Sequence, residues 1–242
     1  MRVFVTGASG NLGSDVISRL QSEIEFISLG RQNGDIPWQL GLKPDPERFM
    51  TADAILHFAW SLHDREKDFH LNVGGTALLA EFASDLGIPF IFISSIAVGG
   101  TSHYGRAKLE AERYVTDLGG ICVRVGLVPD LNNYIRDEAR FRIKLVPALS
   151  GKIAITEAET LSTAAKNLLA GFKTGEAIDS GTVTLVTRFT PVQEVFGEGR
   201  GPRLLLPNTL VLIVLKLISK VSRRGRNLLD SYRSLVTTLE SE

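Results

Sequence analysis

A chain of 242 residues, 44% of them hydrophobic, can bury a substantial core as one large domain or two small ones, and its composition excludes intrinsic disorder. Lysine plus arginine and aspartate plus glutamate number 27 each, so no global field favours nucleic acid. A single cysteine excludes an internal disulfide, and Cys122, inside an apolar run, is expected to be a buried, inert thiol.

The chain runs from Met1 straight into "MRVFVTGASG", with no charged leader and long apolar stretch, which points to a cytoplasmic protein. "VFV" at 3–5, "FISL" at 26–29, "AILHFA" at 54–59, "IPFIFIS" at 88–94 and "GICVRV" at 120–125 read as short buried strands. Apolar runs without alternation suit a parallel sheet covered on both faces. Helical stretches lie between them at about 11–21, 68–86 and 104–118. In the second, Leu71, Leu78, Leu79, Phe82 and Leu86 recur at helical spacing and Gly87 stops the helix. This β-α-β-α order predicts an α/β fold with a Rossmann-type doubly wound parallel sheet.

After "VGLVPD" at 125–130 the chain becomes charged and irregular, then offers a helix at 158–172 and a strand at "TVTLVT". The expected division is therefore a dinucleotide-binding core over 1–130 and a small C-terminal substrate cap with terminal helices over 131–242, the two forming one compact unit. "LVLIVLKLI" at 210–218 falls short of the roughly 20 apolar residues that span a bilayer. The basic Lys216, Lys220, Arg223, Arg224 and Arg226 lie in and beyond it, and the segment is expected to pack on the core without stable membrane insertion.

"TGASGNLG" places Gly7, Gly10 and Gly13, with Ser9, Asn11 and Leu12, between the first strand and the first helix. Glycines there permit a tight turn and close approach of backbone to a pyrophosphate, and the helix N-terminus offers free N–H groups to it. At the end of the second strand, where an acid would hold the ribose of NAD, the chain has Arg31; the nearest acid, Asp35, reads as part of a turn. An arginine favours a 2′-phosphate, so NADP is the expected cofactor and NAD the alternative.

"SSIAVGGTSHYGRAK" at 94–108 ends a strand in serine and resumes as a helix carrying Tyr104 and Lys108 four apart, hence on one face. A free tyrosine has a pKa of about 10 and is a poor base at neutral pH. An ammonium about 4 Å away at an effective dielectric of about 20 contributes roughly 4 kcal/mol, so Lys108 is expected to lower the Tyr104 pKa before desolvation opposes it. Ser95 would hold the reacting oxygen. Ser95, Tyr104 and Lys108 are thus the candidate catalytic set, able to exchange a proton while hydride moves to or from a nicotinamide. His57, inside an apolar strand, is expected to be a hydrogen-bonded core histidine; His103 adjoins Tyr104 without an assigned role. No cluster has metal-ligand spacing.

Together the glycine loop, "LHFAW", "NVGGT" and "YGRAK" resemble the short-chain dehydrogenase/reductase superfamily. Order and spacing are most similar to its extended branch, the NAD-dependent epimerase/dehydratase family acting on nucleotide sugars. The resemblance runs from Met1 to about Asp130. It implies that Phe58 and Ala59 line the cofactor, that Asn72 sits beside the active-site helix, and that Tyr104 and Lys108 also touch the cofactor. Arg124 to Pro129, "RVGLVP", would correspond to the family's "RPxxVYGP" segment. Two departures stand out. Only eight residues separate Ser95 from Tyr104, where the family has a longer, sugar-holding loop. Ser94, Ser95 and Ile96 replace the acidic pair of sugar-nucleotide dehydratases, which argues against dehydration. The resemblance implies a reductase or epimerase working on a nucleotide-linked sugar through a 4-keto species, assembled as a homodimer through the helices at 68–86 and 104–118. An NADP-dependent reductase of another carbonyl compound and a non-catalytic dinucleotide-binding sensor remain as alternatives.

Overall fold

The computed structural model describes residues 1–31, 34–61, 65–100, 102–129, 144–147, 152–174, 179–191, 194–195 and 203–206. The basic C-terminal segment from Pro207 lies outside them.

Seven strands form one wholly parallel sheet: β1 (Arg2–Thr6), β2 (Glu25–Gly30), β3 (Ile36–Pro37), β4 (Ala54–His57), β5 (Phe90–Ser95), β6 (Ile121–Val125) and β9 (Gly181–Leu185), in the order β3-β2-β1-β4-β5-β6-β9. The chain starts at β1, winds outwards to β3, then crosses back to β4, so the switch point lies between β1 and β4. Ligands of such sheets bind beyond the carboxyl ends of the strands at that point. The doubly wound arrangement expected from the sequence is the one observed.

Alternate side chains of the central strands enter two cores, as full burial on both faces requires. Val3, Val5, Leu56, Ile91, Ile93 and Val123 pack against α1 (Asn11–Leu20) and α5 (Ala158–Thr174), through Val16, Leu20, Leu161, Ala165 and Leu169. Phe4, Ile55, Phe90, Phe92 and Cys122 face the other way, onto α3 (Arg65–Asp85) and α4 (His103–Asp117), through Leu79, Phe82, Ala111 and Val115. A short α2 (Pro46–Phe49), capped by Asp45, adds Phe49 to this second core.

Two expectations change in detail. Leu86 follows the end of α3 and is exposed, and the buried stripe of that helix includes Asn72, Val73, Thr76 and Ala83 beside Leu79 and Phe82. Residues 131–242 also do more than cap the core, because β9 supplies the seventh strand of the main sheet and α5 covers its first face. The remaining described strands form two small ribbons: β8 (Lys152–Ile155) antiparallel to β10 (Arg188–Pro191), and β7 (Lys144–Pro147) parallel to β11 (Arg203–Leu206). Thr156 fastens the first ribbon to the sheet by donating to the Leu185 carbonyl and accepting from Gly126 N–H at 2.7 Å. Among the described residues no helix is long and apolar enough to cross a membrane.

Candidate functional site

The glycine loop closes the carboxyl end of β1 onto the end of β4. Gly7 sits at φ +70°, in the left-handed region, and a Cβ there would lie 2.7 Å from the Ala59 nitrogen and 2.8 Å from the Phe58 carbonyl carbon. A Cβ on Gly13 would strike the Gly7 carbonyl oxygen. Gly7 accepts from Gly10 N–H at 2.9 Å, and Gly10 caps α1 without a side-chain hydrogen bond to its first N–H groups. Backbone is therefore exposed at a helix N-terminus, inside a cradle that only glycines allow. Ser9, Asn11 and Leu12 lie on this turn and the first residues of the helix.

Arg31 directly follows β2 and is exposed. Asp35 is not free to take the ribose in the state observed. Its carboxylate accepts from Ser28 N–H at 2.8 Å and from Ser28 Oγ at 2.7 Å, bonds that hold its pKa below the usual carboxylate value. This clamp and the close approach of Gly34 to Gly30 shape the turn that carries Arg31.

The segment after β4, Phe58 to Ser61, forms the wall between the glycine loop and α4. Asn72, 2% exposed on α3, accepts from Ser61 N–H at 2.7 Å and donates to the Ser61 carbonyl at 2.8 Å. Both ends of its amide are engaged with this wall, so Asn72 holds in place a segment that includes Phe58 and Ala59. Beneath it His57 is fully buried, Nδ1 2.6 Å from Thr6 Oγ1 and Nε2 3.0 Å from Thr76 Oγ1. Burial, and secondarily the charge of Lys108, push its pKa down to about 3. His57 is the neutral core histidine that the sequence led us to expect. Cys122 is likewise a buried free thiol, pushed up to about 12 mainly by burial.

Ser95 ends β5 and caps a 3-10 turn over Ile96–Gly99, its Oγ accepting from Ala97 N–H at 3.2 Å. The helix α4 begins almost at once. Ser102 Oγ caps it by accepting from Gly105 N–H at 3.0 Å, and Gly105 has no room for a Cβ, which would overlap the Ala97 carbonyl. A glycine after Tyr104 thus lets the first turn of α4 rest on the turn that follows Ser95. The short connection places the Tyr104 side chain in hydrogen-bond reach of the Ser95 side chain. Residues nine positions apart in the chain thus come side by side.

Lys108 is 3% exposed. Its Nζ donates to the Ile93 carbonyl at 2.8 Å and lies 3.8 Å from the centroid of the Trp60 ring, 4.4 Å from that of Phe92 and 5.9 Å from that of Tyr104. Trp60 also meets Tyr104 edge-on at 6.1 Å, so this indole, at the end of the "LHFAW" stretch, roofs the lysine and buttresses the tyrosine. A desolvated cation over an indole is worth about 2 kcal/mol. Trp60 was not singled out from the sequence; its position three residues beyond the end of β4 was the available signal.

One electrostatic expectation is overturned. Burial pushes the Tyr104 pKa up to about 12, with the Ser95 hydrogen bond pulling the other way. Lys108, instead of acting on the phenol, is engaged with Ile93 and Trp60, and burial brings its own pKa down to about 7. Desolvation penalises the charged form of both groups and outweighs their attraction in this state. His103 is exposed at the start of α4. Among the described residues no group of three or more His, Cys, Asp or Glu side chains could hold a metal ion.

Comparison with known proteins follows the same lines. Residues 1–103 match the family model of the RmlD substrate binding domain. The chain is 29% identical over 133 residues to the dTDP-4-dehydrorhamnose reductase of Sinorhizobium fredii, an alignment covering 46% of this chain and 45% of that protein. It therefore spans less than half the length of that curated relative. Solved structures with a similar fold include the dTDP-4-dehydrorhamnose reductase of Bacillus anthracis in complex with NADP, at 17% identity and TM-score 0.67, covering 87% of this chain and 85% of that one. The L-threonine dehydrogenase of Phytophthora infestans aligns at 14% identity and TM-score 0.70, covering 99% and 88%. At such identities the structural likeness is one of fold. These matches bear out the resemblance to the extended branch of the short-chain dehydrogenase/reductase superfamily.

Proposed function

We propose that the chain is an NAD(P)-dependent oxidoreductase that reduces or epimerises a nucleotide-linked sugar at a keto carbon, with NADP(H) as the preferred cofactor. The observation that carries this reading is the meeting of the Tyr104 and Ser95 side chains above the buried Lys108, beyond the carboxyl end of β5 and two strands from the glycine cradle. The residues present fit a dinucleotide: the cradle of Gly7, Gly10 and Gly13 admits backbone-close phosphates, and α1 presents N–H groups without a side-chain cap. Gly7 to Gly13 would hold the pyrophosphate, Arg31 a 2′-phosphate, and Phe58 and Ala59 the flank beside the nicotinamide. When bound, the nicotinamide supplies hydride chemistry.

The chain's own residues supply the proton. With a pKa near 12, Tyr104 carries its proton at neutral pH, which suits donation to a carbonyl oxygen as that oxygen becomes a hydroxyl. Ser95 would hold the same oxygen, and Lys108 would stabilise the phenolate left behind. In the reverse direction Tyr104 must first lose its proton, so the arrangement favours reduction. The dTDP-4-dehydrorhamnose reductases of Sinorhizobium fredii and Bacillus anthracis, which this chain resembles, support a sugar-nucleotide substrate. The short Ser95–Tyr104 connection supports a second reading, reduction of another carbonyl compound, since it leaves little chain to hold a sugar.

The test is NADPH oxidation by the purified chain against a dTDP-4-keto sugar and a panel of simple ketones and aldehydes, with NADPH affinity measured by fluorescence. Tyr104→Phe should lower kcat by about 100-fold to 10,000-fold, the usual range for a lost general acid, and leave the NADPH Kd within about twofold. Near-full turnover of Tyr104→Phe would remove the proposed chemistry while leaving the cofactor site standing.

A further inference from the structure

We propose that Glu112, fixed by Arg124, is the buried counter-charge that favours the ammonium form of Lys108, and so is a positioning residue for the candidate site. For its consequence in catalysis the inference rests on the reading of Lys108 given above.

The arrangement is one of three charged groups on facing elements. Glu112 stands one helical turn beyond Lys108 on the buried face of α4 and is itself 3% exposed. Its carboxylate takes a two-pronged grip from Arg124 on β6, with Arg124 Nε 2.9 Å from Oε1 and an Nη atom 2.6 Å from Oε2. Arg124 is paired in register with Ser94, next to Ser95, so the ion pair ties α4 to the strand beside the reacting end of β5. Among the described residues Lys108 has a single oxygen partner, the Ile93 carbonyl, and otherwise faces rings.

A buried ammonium in such surroundings tends to lose its proton. The groups facing it decide the outcome. From α4 these are Tyr104 and Glu112, from β6 Cys122 and Arg124, and from β4 His57; the last is neutral, and its own protonation is opposed by Lys108. Among these, Glu112 brings the negative charge. Burial drives the Lys108 pKa down to about 7, and the Glu112 carboxylate works against that fall. Arg124 holds the carboxylate in place by its two-pronged grip.

The titration of Lys108 in the full chain, without added cofactor or substrate, tests this directly. Lysine labelled with carbon-13 at Cε reports protonation by its chemical shift, and loss of one signal in Lys108→Met assigns it. Glu112→Gln should lower the Lys108 midpoint by one pH unit or more, a tenfold or larger change in proton affinity. Glu112→Asp, which keeps the charge but draws it back by one methylene, should lower the midpoint by less. A fall in Glu112→Gln that is larger than in Glu112→Asp supports the inference; a midpoint unchanged in Glu112→Gln overturns it. If Glu112→Gln does not fold, Glu112→Asp decides, and an unchanged midpoint there overturns the inference. Because no catalysis is measured, an active Tyr104→Phe would bring down the functional reading and leave this charge balance untouched.

Discussion

Acidification should unfold this protein through His57 before its carboxylates contribute. The ring is fully buried, both nitrogens are satisfied by Thr6 and Thr76, and its pKa lies at about 3 against 6.5 for a free histidine. A base whose folded pKa is depressed binds its proton first in the unfolded chain, so stability falls as pH drops below about 6.5 and goes on falling to about 3. The whole effect is on the order of 5 kcal/mol, 3.5 units at about 1.36 kcal/mol each, of which about 2 kcal/mol is already lost at pH 5. The window from pH 7 to 5 isolates it. The depressed Lys108 pKa, about 7, makes stability rise with pH between there and its ordinary 10.5. Tyr104, raised to about 12, acts only above 10, and the lowered carboxyl of Asp35 acts only below 3.8. Urea unfolding followed by circular dichroism at the two pH values measures the difference. In His57→Gln, which cannot titrate, the loss between pH 7 and 5 should shrink by about 2 kcal/mol, although the variant starts about 1–3 kcal/mol less stable from its altered hydrogen bonds. An equal acid loss in wild type and His57→Gln refutes the assignment of His57 as the acid-sensitive group.

Arg31→Asp should cut the preference for NADPH over NADH at least tenfold in equilibrium titrations of both cofactors, and an unchanged ratio makes Arg31 a plain surface charge. Gly7→Ala forces a methyl into left-handed backbone 2.7 Å from the Ala59 nitrogen, so it should cost about 1–3 kcal/mol, a fall in Tm of several degrees, together with weaker dinucleotide binding. Wild-type Tm and affinity in that variant would mean that the glycine cradle is not needed as described.

Features written contiguously in the chain were legible in the sequence. The glycine loop, the apolar parallel strands and the four-residue step from Tyr104 to Lys108 each depend on spacing within a single junction. Short elements were not: β3 has two residues and α2 has four, too few for any period to register. The return of β9 to the main sheet was hidden because its residues are largely exposed at an edge, unlike the other strands. The partnerships of Lys108 were hidden for another reason. Four residues on one helix face show that Tyr104 and Lys108 are neighbours, but not that Ile93 and Trp60, from two other segments, claim the ammonium first. Glu112 looked like an ordinary helical polar residue until its partner, Arg124, met it in space.

Those tertiary partners bear on the direction of the proposed chemistry. An active-site tyrosine paired with lysine suggests a base made strong by a neighbouring charge, and that was the expectation from spacing alone. In the folded chain the two pKa values are pushed apart instead, tyrosine up to about 12 and lysine down to about 7. Around neutral pH the phenol is protonated and the amine is near its midpoint, so the pair is set to give a proton more readily than to take one. Donation becomes easier still if Lys108 is charged when the phenolate forms, because the attraction then grows in a site sheltered from water by Trp60 and Phe92. The reductive direction therefore turns on the charge of Lys108: a phenol raised to about 12 is protonated but weakly acidic, and a cation beneath it is what eases release of its proton. That charge is favoured by a carboxylate one turn further along the helix, which gives the Glu112–Arg124 pair a bearing on the site that neither residue reaches by contact.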